Sequence, residues 1–173
     1  ETGSGSIVLN AGAADSGLGG DVSIRSGSSE TSSGGAVTIQ TGASTTTVSG
    51  RLQIQTGQSI IQSGSVDILT GASVLGSSGN TNLVTGSAQD SSGNVIIAAG
   101  AASVGNGGSV SLVGGTSESG NGGQIKIEGG RGSESVAGGS VSLATGNGVT
   151  SGSMHILTGN STTGSSGGLT LKT

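Results

Sequence analysis

One histidine, His155, nine carboxylates and no cysteine are the chain's whole stock of side chains suited to acid–base, nucleophilic or metal chemistry. An imidazole acts as a general acid or base when a second group orients it, and a structural metal asks for about four ligands. His155 lies between Met154 and Ile156 with neither at hand in sequence, so it reads as a solvated surface residue. Hydrolysis of glycosidic bonds needs two carboxyl groups held across one bond. The carboxylates are Glu1, Asp15, Asp21, Glu30, Asp67, Asp90, Glu118, Glu128 and Glu134, and they make no paired constellation. Glu118, Glu128 and Glu134 are close in sequence, but Lys126 and Arg131 lie among them, which reads as local charge balance. Gly19-Gly20-Asp21-Val22 is a lone partial echo of calcium-binding repeats, which carry an aspartate in every unit. The expectation is a chain without catalytic residues, without a cofactor and without a metal site, and therefore not an enzyme.

The elements that would have to position any such group are unusually legible. A unit Gly-x-φ-x-φ-x-[Thr/Ser/Ala/Gly]-Gly, with φ aliphatic, occurs twelve times. Its first φ falls at Ile7, Val22, Val37, Leu52, Val66, Thr81, Val95, Val110, Ile125, Val141, Met154 and Leu169. Its second φ falls two residues later, from Leu9 to Leu171, and Thr81 alone of the twenty-four slots is not aliphatic. The spacing between successive first positions is 13 to 16 residues. Such a period marks one unit repeated along the chain. Alternation of φ-x-φ has the two-residue period of a strand with one covered face. Glycine stands two positions before every first φ, and again five positions after each of the first eleven, which predicts sharp corners with positive φ.

These features predict an all-β fold, a parallel β-solenoid (β-helix) of about twelve coils, each of about 15 residues, around a thin flat core. Stacked at about 4.8 Å per coil, the array would run roughly 58 Å. A small residue seven positions after each first φ (Ala14, Ser29, Ser44, Ser59, Ser73, Ala88, Ala102, Ser117, Gly132, Gly148, Ser161) is expected to face inward from a short return strand. The 39 glycines and the absence of Phe, Tyr, Trp and Pro suit a core too thin for a ring. An antiparallel meander of hairpins is the competing architecture. Residues 1–4 read as an expression remnant, because Glu1-Thr2-Gly3 is similar to a secretion-vector scar, and 5–173 as a single array of twelve repeats.

Charge and composition narrow the partners. Five basic residues against nine acidic ones give a formal charge of −4, with no basic cluster and no aromatic residue for stacking, which argues against nucleic acid. No apolar run is long enough to span a membrane. Outward of the expected strands, Leu69, Val84, Ala98, Val113, Ala144 and Leu157 would form an apolar stripe for lateral contact, interrupted by Glu128. Asn160-Ser161-Thr162 is a glycosylation sequon in a loop, with Asn160 the acceptor.

With units such as Ser33-Gly34-Gly35-Ala36-Val37-Thr38-Ile39-Gln40-Thr41-Gly42, the chain resembles the large secreted Gly/Ser/Thr-rich repeat proteins of algae and related protists. The resemblance covers nearly all residues and implies an extracellular structural, adhesive or filament-forming role. A rigid rod stacking end to end or side to side is the function expected on this basis, with self-association as the partner interaction. In its period and Thr/Ser content the chain more weakly resembles β-solenoid antifreeze proteins, which implies ice or polysaccharide binding as the alternative, although the Thr column Thr41, Thr56, Thr70, Thr85, Thr145, Thr158 and Thr173 is interrupted by Ala99, Gly114 and Gly129 and by strand parity faces inward.

Overall fold

The computed structural model describes residues 4–172; Glu1, Thr2, Gly3 and Thr173 lie outside it, including most of the expected expression remnant and the last Thr of the column. Among the described residues there is neither helix nor strand. The β-solenoid expectation is therefore overturned: no coil stacks on the next, and no ladder pairs one repeat with another. The accessible surface is 17445 Å². A compact chain of 15.9 kDa would expose about 7,300 Å² and a fully unfolded one about 23,000 Å². Only about a quarter of the unfolded surface is covered, against about seven-tenths for a globular domain of this size.

All 38 Val, Ile, Leu and Met side chains are exposed, and none forms a core. The reason lies in the repeat itself. Two aliphatics per unit supply roughly 3–6 kcal/mol even if fully covered, whereas ordering fifteen residues costs at least 15 kcal/mol of backbone entropy. A unit cannot hold itself; only pairing with a neighbour could make up the difference, and this fold makes none.

Two compact units divide the chain, Glu1–Asn82 and Leu83–Thr173. The division falls inside the repeat whose first φ slot holds Thr81. Within each unit the φ-x-φ segments keep the local geometry of a strand. Side chains two residues apart meet on one side: Gln53 Nε2 donates to Gln55 Oε1, Ser65 Oγ donates to Asp67 Oδ2 at 3.0 Å, and Lys126 Nζ pairs with Glu128 Oε2 at 2.9 Å. That is the period-two arrangement of extended backbone. The alternation also survives in exposure, as in Val95, Ile96 and Ile97 at 49%, 83% and 67%.

Between the segments, the chain makes pinched loops, compact excursions whose ends are held together. In the first unit Gly20 N donates to Gly12 O at 2.9 Å, Gly35 N to Gly27 O at 2.9 Å and Gly50 N to Gly42 O at 3.0 Å. In the second, Gly108 N donates to Gly100 O at 3.0 Å, Gly123 N to Gly115 O at 2.8 Å and Gly139 N to Gly130 O at 2.8 Å, with a longer contact of 3.5 Å from Gly152 N to Gly146 O. In these seven loops the two glycine columns are thus donor and acceptor of one bond.

Their chemistry differs from the expected positive φ. Among the described residues only Gly17 (φ 109°) and Gly105 (φ 97°) have it, and both stand inside loops, outside the two columns. At Gly20, Gly35, Gly50, Gly108, Gly123 and Gly139 of the donor column glycine is favoured because backbone and side chain approach closely. A Cβ on Gly20 would stand 3.1 Å from Gly12 N and 3.2 Å from the Ala11 Cβ, and one on Gly123 would stand 2.8 Å from Gly115 N. The acceptor column shows no such need: a Cβ on Gly12, Gly27, Gly42, Gly100 or Gly115 meets nothing within 4 Å.

Candidate contact surface

The small column seven residues after φ is also reassigned. It does not face a return strand; its serines tie the loops. Ser29, Ser44, Ser73, Ser117 and Ser161 each accept, on Oγ, the backbone N–H three residues on (Ser32, Thr47, Gly76, Gly120 and Gly164) at 2.9–3.1 Å. Ser59 Oγ accepts from Ile61 N at 3.3 Å. Every serine of the column therefore makes a side-chain turn, the local competition with sheet pairing in which this residue type excels. The column's alanines lack that hydroxyl. Ala14 and Ala102 precede the two glycines of positive φ, Gly17 and Gly105, so these two turns close through backbone freedom instead.

The Thr/Ser/Ala/Gly column is where coverage is greatest. Ser26, Thr41, Thr56 and Gly114 are half-buried, in a chain otherwise exposed almost throughout. Each lies under the donor glycine of the next repeat. Cβ atoms built on Gly35 and Gly50 would approach the Ser26 and Thr41 Cβ to 3.3 and 3.2 Å, and one on Gly64 would approach Thr56 Cγ2 to 3.7 Å. A Cβ on Gly114 would collide with the Gly123 carbonyl, so that position admits no side chain. Thr70, Thr85 and Thr145 stand in the same relation, each within 4 Å of the place a Cβ would take on the donor glycine of the next repeat (Gly79, Gly93 and Gly152).

Among the described residues there is no cavity, and no group of three His, Cys, Asp or Glu side chains gathers where a metal would bind. His155 is exposed on its segment. No helix among the described residues is long and apolar enough to cross a membrane. Asn160 is exposed, and the Ser161 beside it anchors a turn through its hydroxyl.

What the structure does present is apolar and periodic. Apart from Ile7, the aliphatic first φ residues are the best covered of the large side chains, at about half exposure (Val95 49%, Val141 49%, Met154 49%), and the second φ residue of each of those repeats is more exposed. The expected lateral stripe is more exposed still, with Leu69, Val84, Val113 and Leu157 at 82–85%. Its residues come from separate repeats, Leu69 in the first unit and Val84, Ala98, Val113, Ala144 and Leu157 in the second. Sequence reasoning missed the donor–acceptor roles of the two glycine columns. The signal was present in their near-constant separation of eight residues across the loop, as in Gly12/Gly20 and Gly27/Gly35. No family model, curated protein or solved structure matches the chain.

Proposed function

We propose that this chain is an extracellular structural repeat segment whose work is to associate side to side with like chains. The observation that carries the reading is the full register of φ aliphatics standing uncovered on extended segments. A chain that leaves every large apolar side chain in water, yet holds them at a fixed period, is built to have them covered by something equally periodic. The absence of aromatic and cysteine residues and the mild charge of −4 suit a passive material more than a site of selective recognition. Secretion is the setting that the Gly/Ser/Thr-rich composition and the Asn160 sequon favour.

Sedimentation velocity across a dilution series tests the reading. The expected result is a weight-average coefficient that rises steeply with concentration. A single slow species at every concentration would refute it.

A further inference from the structure

The uncovered register also indicates which partner fits it. We infer that the extended segments pair with the same segments of other copies of this chain, in parallel and in register, repeat on identical repeat. This deepens the proposed self-association and rests on it. Three observations select that mode.

The first is area. The chain exposes about 10,000 Å² more than a compact protein of its mass would, whereas a standard protein–protein interface buries about 1,600 Å² in total. One docked partner of ordinary size would leave most of the surface bare. A covering that runs along every repeat is needed.

The second is the backbone. Inside the φ-x-φ segments no backbone–backbone hydrogen bond occurs among the described residues; those present close the loops. Each segment therefore offers unpaired N–H and C=O groups on both edges together with its aliphatics. A second extended strand satisfies both at once, as an apolar groove or a flat surface cannot.

The third is spacing, and it fixes direction and alignment. Successive first φ positions are separated by 15, 15, 15, 14, 15, 14, 15, 15, 16, 13 and 15 residues. Reversing that order, or sliding it by one repeat of about 15 residues, sets unequal loops against each other and displaces four of the segments by one or two residues. A displacement of one residue turns every φ side chain to the wrong face. Only a parallel copy at zero offset matches all twelve units, and there Thr81 meets Thr81. Because each segment has two edges, such pairing does not close at a dimer; it continues as an open stack with a repeat of about 4.8 Å.

The native chain has no cysteine, so single labels are available at Ser23→Cys in the first unit and Ser142→Cys in the second, each on the residue between the two aliphatics. Nitroxide labels stacked about 4.8 Å apart undergo spin exchange. The expected electron paramagnetic resonance spectrum of assembled, fully labelled chain is one narrowed line at both sites. Mixing with an excess of unlabelled chain restores the separate hyperfine lines. Assembly in which neither site shows the narrowed line would overturn in-register pairing and leave self-association standing. A chain that stays monomeric at all concentrations, labelled or not, would overturn both.

Discussion

The donor and acceptor glycines of a loop look alike in sequence, but the structure predicts opposite consequences for the same substitution. At Gly123, alanine would place its Cβ 2.8 Å from Gly115 N and 3.5 Å from Gly115 O, so the two ends of the loop must part. The bond from Gly123 N to Gly115 O, at 2.8 Å, is then lost. A net hydrogen bond contributes about 0.5–1.5 kcal/mol, which corresponds to a roughly 2- to 13-fold fall in the closed population. At Gly115 an added Cβ meets nothing within 4 Å and φ is not positive. Alanine there leaves the loop intact and restricts the open chain, a gain of about 0.4–1 kcal/mol. Amide hydrogen exchange at residue 123, followed by NMR on dilute chain, reads both effects. Gly123→Ala is expected to speed exchange within that 2- to 13-fold range, and Gly115→Ala to slow it. Equal acceleration by the two, or a larger one from Gly115→Ala, would show that close approach is not what selects glycine at the donor position.

Three further outcomes follow from the same geometry. Ser117→Ala removes the acceptor for Gly120 N, and exchange at that amide should rise a few-fold, while Ala102→Ser should slow exchange in its own loop; no change in either would deny the serines their turn-closing role. Replacing a register residue, as in Ile127→Asp, should abolish association, whereas Val149→Ser, in a loop and fully exposed, should leave the sedimentation profile unaltered. In-register stacking sets Asp67 over Asp67 and Arg25 over Arg25, and like charges directly opposed repel. Added salt should therefore strengthen association, and Asp67→Asn should strengthen it at low salt; weakening by salt would point to complementary charges and a different alignment.

Much of the local structure was legible in the residues. Leu52 and Ile54 announce an extended segment by their spacing, and the contact of Gln53 with Gln55 shows that segment formed. Gly20 and Gly35 were legible as loop ends, but not the reason for them. Close approach depends on where Ala11 and Ser26 lie in space, which the one-dimensional pattern does not hold. The serine column was misread because a small residue suits both a thin core and a turn; Ser29 takes the turn because its hydroxyl finds a backbone N–H three residues away without any long-range contact. Stacking of coils was the largest correction. The period says that the segments are equivalent, so they can pair, but equivalence is the same between repeats of one chain and between chains. The aliphatics of a single repeat offset too little entropy to settle the matter in favour of the isolated molecule. The candidate surface was correspondingly half legible: its composition was clear, and its exposure in the isolated molecule was not.

On the proposed pairing, strands belong to the assembly and are missing from the single chain. Far-ultraviolet circular dichroism over a wide dilution range tests it most directly. The predicted result is a coil spectrum at the lowest concentrations and a strand spectrum that emerges only as chains associate. A strand spectrum of constant amplitude down to dilutions at which sedimentation shows only monomer would contradict it.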